Sequence, residues 1–243
     1  MRISRIAGFL FLISIFFNPF PVAGKSGLPE KAYIKGVIGH PQSYILSCES
    51  RSAVDYAAFW GVSIRERKFL YELPRSDNPD KGFVGNPNDP WGNTPPKSYG
   101  VHAPPVAELL KIYGLQVEAR RQMSWSELQL EIADGRPVIV WVVGQMWPGK
   151  ARQYQASDRK VVTVAPFEHT MIIVGYSKNS VYAVDAYTGK TLAYSKNAFL
   201  KSWSTLGRMA ILGYGRAEAK SNPESINPAK KFPITIYLPI LNR

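Results

Sequence analysis

The unbroken apolar run PVIVWVV, from Pro137 to Val143, constrains the fold of this chain more than any other stretch. It is far shorter than a membrane span, and such a run is typical of a β-strand that is buried on both faces. A strand of this kind sits inside a sheet that other elements must cover on each side. The sequence therefore predicts a covered sheet in the second half of the chain.

The elements predicted around this strand fall into two groups. Further strands are predicted at 160–165, 169–176, 181–185 and 208–214, with an early one at 33–38. Helices are predicted at 48–60, 63–73, 104–113 and 195–203, and one more is capped by Ser124 and ends near Gly135. Helices thus dominate the first half and strands the second. This order predicts an α+β fold, in which a helical half packs on an antiparallel sheet.

The N-terminus predicts export. A basic start, MRISR, precedes twelve apolar residues, and small residues follow at 22–24, which is the pattern of a secretory signal peptide. An uncleaved membrane anchor is the alternative interpretation. We expect residues 1–24 to be the signal peptide, 25–34 a lead-in, 35–214 one domain, and 215–243 a partly flexible extension. No later segment reaches membrane-spanning length, so the predicted location is secreted or in the cell envelope.

The formal net charge of the chain is +12. Cleavage of the signal peptide removes only two of these positive charges, so the mature protein stays strongly basic. An anionic cell-wall polymer is therefore a candidate partner, although scattered basic residues also describe an ordinary solvated surface. No nucleic-acid-binding motif is present, and export argues against such a partner.

A long segment rich in proline, glycine, asparagine and aspartate runs from Pro74 to Pro105. Loops of this length are usually functional or disordered. Its aromatic residues, which include Trp91 and Tyr99, indicate a packed loop that forms a wall of a cleft. The spacing of its aspartates does not match a calcium-binding loop, and we predict no metal site.

The chain has a single cysteine, Cys48, which excludes an internal disulfide. A lone cysteine is either a small buried apolar residue or a reactive thiol. Cys48 lies at the predicted start of a helix, where the helix dipole and free backbone N–H groups favour a thiolate. Gln42 lies six residues earlier, and its side-chain amide could donate to an oxyanion beside the Cys48 N–H.

A nucleophilic thiol also needs a base, and three histidines are available. His40 and His102 lie in predicted loops, whereas His169 begins the predicted strand HTMIIVGY, which would hold an imidazole more firmly. Asp185 ends the next strand, where its carboxylate could orient the imidazole of His169. Taken separately, His169 could be a core histidine and Asp185 a turn residue. Together with the thiol, they predict a catalytic triad.

The order glutamine, cysteine, histidine and aspartate resembles that of the papain-like cysteine peptidases. In particular, the chain is similar to exported relatives of the bacterial subgroup that trims bacteriocin leader peptides, over roughly residues 35–214. The matching stretches are LSCES, NPDKGFVGNPNDPWG with YGVHAPP, GRPVIVWV, EHTMIIVGY and VYAVDAYTGK.

The resemblance implies a papain-like fold and hydrolysis of peptide bonds without a cofactor. By position, Cys48 would be the nucleophile, His169 the base, Asp185 the residue that orients it, and Gln42 an oxyanion donor. The chain departs from the subgroup at Glu49, where those enzymes usually have glycine. We expect Glu49, in the first turn of the helix, to face solvent and to interact favourably with the helix dipole. The alternative is that its carboxylate points inward, where it would oppose formation of the Cys48 thiolate.

The substrate predicted from this site is a peptide or protein. Trp91 and Tyr99 are the predicted walls of the substrate cleft, and Trp147, just after the central strand, is a further candidate. An amidase or transpeptidase acting on cell-wall peptides would use the same site. A binding module on an inactive papain-like scaffold is the alternative outside the enzymes.

Overall fold

The computed structural model describes residues 27–217, so the predicted signal peptide and most of the predicted C-terminal extension lie outside the described residues. Helices are α1 (Cys48–Phe59), α2 (Glu66–Glu72), α3 (Ala103–Ile112), α4 (Trp125–Ala133) and α5 (Lys196–Thr205). Strands are β1 (Ala32–Tyr33), β2 (Leu115–Arg120), β3 (Val138–Val143), β4 (Arg152–Gln155), β5 (Val161–Val164), β6 (Glu168–Tyr176), β7 (Ser180–Asp185), β8 (Thr191–Ser195) and β9 (Ala210–Arg216). Between residues 27 and 217, no helix is long and apolar enough to cross a bilayer.

Seven strands form one antiparallel sheet in the order β2-β9-β3-β6-β7-β8, and β1 adds to β6. Strand β3 lies near the middle of this sheet, and all six of its residues are buried, as its unbroken apolar sequence predicts. Two groups of helices cover the sheet. Helix α1 packs with α2 and α3, whereas α4 contacts α5 through Trp125 and Phe199. The predicted α+β arrangement is confirmed.

Helix α1 is the element that carries the site. Its Ser52 hydroxyl lies 3.0 Å from the hydroxyl of Thr170 on β6, so the first turns of α1 are fixed against the first residues of that strand. Asp185 lies at the end of β7, which pairs with β6, and Met171 of β6 lies opposite Asp185. This register brings the start of α1, the start of β6 and the end of β7 to one edge of the molecule.

Most predicted elements are present, and the capping box at Ser124 and Glu127 forms as expected. Three strands were not predicted: β2, β4 and β8. The sequence of β4, RQYQ, is largely polar, while β2 and β8 are the outer strands of the sheet. Such strands are defined by hydrogen bonds to a neighbouring strand, so their apolar patterns are weak. The early strand is also shorter than expected and ends at Tyr33.

Candidate functional site

A cavity of about 430 Å³ opens at the N-terminus of α1. Cys48, His169, Gln42 and Trp91, four of the residues predicted for the site, line it. Four more residues line the cavity and were not predicted from the sequence: Ser43, Tyr44, Ile45 and Tyr187. The cavity thus brings together residues from the segment before α1, the long loop, β6 and the turn after β7.

His169 and Asp185 form a hydrogen-bonded pair. The Nε2 atom of His169 lies 2.7 Å from Oδ1 of Asp185, and both side chains are buried. Asp185 also accepts bonds from the Tyr187 N–H and the Thr188 hydroxyl. Burial alone would raise the pKa of Asp185, but the bond from His169, the imidazole charge and these donors together hold it below its usual value. The carboxylate therefore stays ionised and fixes the imidazole through Nε2.

Cys48 lies at the first position of α1, as predicted, and is 5% exposed. Its thiol donates to Oε2 of Glu49, with an Sγ–O distance of 3.3 Å. Glu49 does not face solvent as expected: it is 1% exposed, and its Oε1 accepts the backbone N–H of Val101 at 2.6 Å. The carboxylate is turned inward because it supplies the acceptor that this N–H of the long loop requires.

Glu168, the residue before His169, lies beside Glu49 in the same buried region. It is 2% exposed, and neither of its carboxyl oxygens has a hydrogen-bond partner among the described residues. Gly100 lets the long loop approach both groups closely: a Cβ there would collide with Glu49 Oε1 and lie 3.2 Å from Glu168 Oε2. We call Glu49 and Glu168 the acid pair.

The acid pair changes the expected protonation state of the Cys48 thiol. Burial raises the pKa of the Cys48 thiol well above its usual value, and the nearby charges of Glu49 and Glu168 raise it further. The backbone of Thr170 acts in the opposite direction, but more weakly. The expectation that the helix dipole would populate a thiolate is therefore wrong for the resting site. The thiol is neutral until a base removes its proton.

Burial also raises the pKa of Glu49, to about 7, and the pKa of Glu168 is raised well above its usual range by burial and by Glu49. Near neutral pH, the acid pair therefore carries at least one proton. Sγ of Cys48 and a carboxyl oxygen from each glutamate lie within 4.8 Å of one another, close enough to share a cation in place of protons. These are the residues of the described chain that could hold a metal ion.

The acid pair makes stability depend on pH. Both pKa values are higher in the folded state than in the unfolded state, so the folded chain binds more protons, and stability falls as pH rises from about 4.5 through 7. We expect Glu168→Gln to be similar to wild type at pH 5 but more stable at pH 8, by about 2 kcal/mol in the free energy of unfolding. Urea denaturation at both pH values measures this. Glu118→Gln, at a half-exposed position of the outer strand β2, should show no such gain, and an equal effect of both variants would contradict the prediction.

The acid pair also predicts how the thiol reacts. Glu49→Gln keeps an oxygen acceptor for Val101 but places an amide donor next to Sγ, so it should lower the pKa of the thiol by at least about one unit. The pH dependence of Cys48 alkylation by a neutral haloacetamide measures this. Glu108→Gln, on the exposed side of α3, is the control and should follow wild type. An unchanged midpoint in Glu49→Gln would show that the acid pair does not act on the sulfur.

Gln42 lies in the cavity, but its amide is oriented differently from the expectation. Its Nε2 donates to the carbonyl oxygens of Tyr44 and Ile45, each at 2.8 Å, and its Oε1 is buried with no hydrogen-bond partner within residues 27–217. The amide hydrogens are thus used within the segment that leads to α1. An oxyanion could receive one of them only if a bond to a carbonyl were exchanged.

A buried carboxylate that the sequence analysis missed holds this same segment. Glu66 of α2 accepts bonds from the Ser43 N–H, the Ser43 hydroxyl and the Ser47 hydroxyl, and Arg51 lies 3.1 Å from it. Ser47 is the residue immediately before α1. Glu66 therefore fixes both ends of the stretch between Gln42 and Cys48. No local sequence pattern predicts that Glu66 holds this segment, because the contacts depend on how α2 packs against α1.

The other two histidines lie outside the cavity, as the sequence analysis expected when it preferred His169. His40 is exposed, and its ring contacts Asp55 at 2.9 Å. His102 is fully buried, and its Nδ1 lies 2.5 Å from Asp80. Each is bonded to a carboxylate that stabilises a loop.

The predicted walls of the cleft are only partly correct. Trp91 lines the cavity, its indole N–H donates to the Glu168 carbonyl at 2.7 Å, and its ring packs edge-on against His169 at 6.0 Å between centroids. Trp147 lies behind it, 5.7 Å from Trp91 between centroids and partly exposed. Tyr99 is not a wall: it is 3% exposed and packs with Val162 and other residues in a separate cluster. The loop buries this ring to cover the β4–β5 hairpin.

The chain matches one protein family in sequence and several solved structures in fold. A model of a family described as "Peptidase_C39 like family" matches residues 35–211. No curated protein matches the chain. Among solved structures, a C39-like peptidase from Bacillus anthracis has a TM-score of 0.68 and 23% sequence identity, covering 78% of this chain and 100% of that chain. This likeness confirms the predicted papain-like α+β fold.

Two more distant structures are also similar. The peptidase domain of Streptococcus ComA, a bi-functional ABC transporter, has a TM-score of 0.46 and 16% identity, covering 74% of this chain and 100% of that chain. A cysteine protease from Carica candamarcensis has a TM-score of 0.45 and 14% identity, covering 77% of this chain and 99% of that chain.

Proposed function

Because the chain belongs to the peptidase C39-like family and is a cysteine-type peptidase, we propose that it hydrolyses peptide bonds with Cys48 as nucleophile, His169 as base and Asp185 as the residue that positions His169. One observation carries this proposal. His169 shares a cavity with Cys48 and is bonded at Nε2 to Asp185, at 2.7 Å. Its other ring nitrogen, Nδ1, is thereby left to take the thiol proton.

The reaction begins from a neutral thiol. As the substrate carbonyl enters the cavity, Nδ1 of His169 accepts the Cys48 proton while Sγ bonds to the carbonyl carbon. The oxyanion is stabilised by the Cys48 N–H at the start of α1, and by Gln42 once one of its hydrogens leaves a loop carbonyl. The imidazolium then protonates the leaving amine as the C–N bond breaks. Water, deprotonated by His169, cleaves the thioester and restores the thiol.

We also propose that the protein acts outside the cytoplasm, in the cell envelope or as a secreted enzyme. The support is the sequence of residues 1–24, with its basic start and short apolar run. Expression in a bacterial host and intact-mass measurement of the exported product test this. A chain that begins near Lys25 supports export with cleavage, whereas a full-length chain retained in the membrane supports the anchor.

The direct test of peptide hydrolysis uses a peptide library and purified cell-wall fragments, with products identified by mass spectrometry. We expect cleavage of internal peptide bonds in the library. Cleavage confined to wall peptides would instead favour a wall amidase. A thiol-directed peptide warhead should label Cys48, and labelling should fall when His169 is replaced by alanine. Absence of both products and labelling would contradict an active peptidase.

A further inference from the structure

Helix α2 and the residues that flank it present several basic side chains next to the catalytic cavity. Arg65, Arg67 and Arg75 are exposed, and none has a carboxylate partner within residues 27–217. Lys68, also exposed, is the exception, since it pairs with Glu72 at 3.5 Å. We call Arg65, Arg67, Lys68, Tyr71 and Arg75 the basic ridge.

Two of these arginines are held by aromatic rings. The guanidinium of Arg67 lies 5.7 Å from the centroid of Tyr71, and that of Arg75 lies 4.7 Å from the centroid of Phe83. Arg75 also donates to the Gly85 carbonyl. A guanidinium placed over a ring keeps N–H groups at its edge, where a carboxylate can bind with little loss of side-chain entropy. The ridge is therefore partly pre-organised for anionic groups.

The basic ridge continues the catalytic cavity. Tyr44 lines that cavity, and its ring packs edge-on against Tyr71, 6.3 Å away between centroids. Tyr71 in turn lines two grooves of the ridge. One, of about 420 Å³, lies beside Arg65 and Arg67, and the other, of about 480 Å³, lies beside Arg75. A chain that leaves the cavity over Tyr44 thus reaches the arginines over an aromatic surface.

The acidic groups of α2 do not cancel these charges. Glu66 is buried and engaged by Ser43, Ser47 and Arg51. Glu72 is exposed but accepts a bond from the Tyr113 hydroxyl and pairs with Lys68. The charge left for a ligand is that of the three arginines, beside the cavity that Cys48 and His169 line.

We propose that the basic ridge selects peptide substrates that carry acidic side chains on one side of the bond to be cleaved. This inference rests on the proposed peptidase function. The arginines are confined to Arg65–Arg75 next to the cleft, which favours a short acidic peptide over a long anionic polymer.

The test compares Arg67→Glu/Arg75→Glu with wild type on matched fluorogenic peptides, one with glutamates and one with glutamines at the flanking positions. We expect the double variant to raise KM for the acidic peptide about tenfold, with kcat changed by less than about twofold, and to leave the neutral peptide unaffected. Raising the salt concentration should remove most of the difference. Lys35→Glu/Lys178→Glu, at exposed positions towards the other end of β6, is the matched control and should behave as wild type.

A binding measurement separates this inference from the proposed function. Fluorescence anisotropy of the labelled acidic peptide, titrated with Cys48→Ala protein, measures peptide binding at the basic ridge even if no peptide is cleaved. Equal cleavage of acidic and neutral peptides by wild type would contradict the proposal that the basic ridge selects acidic substrates. It would still agree with the proposed peptidase activity. The double variant could instead lose binding to polyphosphate or lipoteichoic acid and bind the acidic peptide as wild type does. That result would also contradict the proposal and would show that the ridge binds an anionic polymer.

Discussion

Replacing Cys48 with alanine is expected to lower kcat for peptide hydrolysis by about 10⁴-fold or more, because it removes the thiol that shares the cavity with His169 and would form the acyl intermediate. The free energy of unfolding should change by less than about 1.5 kcal/mol, since alanine fits the first turn of α1 and removes a thiol that is poorly solvated beside two carboxylates. Initial rates on the best library peptide and a urea titration measure the two effects.

The matched control for this result lies on the same helix. The Ser50 hydroxyl is buried without a hydrogen-bond partner among the described residues, so Ser50→Ala should retain wild-type activity and stability. Cys48→Ser should be nearly as inactive as Cys48→Ala, because a serine hydroxyl is a much weaker nucleophile beside the same base. Substantial activity in Cys48→Ala would show that the reaction does not pass through this sulfur.

Asp185→Ala is expected to lower kcat/KM by about 100-fold, because it frees the His169 ring and removes the acceptor of the Tyr187 N–H. Asp185→Asn should keep activity within about tenfold of wild type, since an amide oxygen can still accept from Nε2. The comparison separates orientation of the ring from the charge of the carboxylate.

The pH profile of kcat/KM gives a readout that a purely structural role would not move. In Asp185→Asn the imidazolium loses a neighbouring negative charge, so the acidic limb of the profile should shift to lower pH. Thermal unfolding of both variants checks that the fold is kept. Equal losses in the alanine and asparagine variants, with no shift of the acidic limb, would argue that Asp185 stabilises the turn after β7 and does not position His169.

The sequence predicted the framework of this protein well, because each long element carries its own pattern. The apolar run of β3, the capping box of α4 and the lone cysteine at the start of α1 can each be interpreted without knowledge of distant residues. The cavity also contains Cys48 and His169, the pair predicted from their order and their elements.

Other parts of the site could not be predicted in this way. Tyr99 was expected to line the cleft, yet the loop buries it, because a proline- and glycine-rich segment has no periodicity that tells which side its aromatic residues face. Glu66 belongs to another helix, and only the packing of α2 on α1 brings it to Ser43 and Ser47.

The sequence alone determined the α+β class, the helix that begins at Cys48 and the order of the candidate site residues, since these follow from local periodicity and from residue type. The tertiary structure alone decided the electrostatics of the Cys48 thiol. Glu49 and Glu168 are 119 positions apart, and each would be solvated on an isolated helix or strand. They meet beneath Cys48 only because α1 packs on β6. Burial there raises the pKa values of both glutamates and, as the main cause, the pKa of the thiol, and any negative charge that the pair retains raises the thiol pKa further.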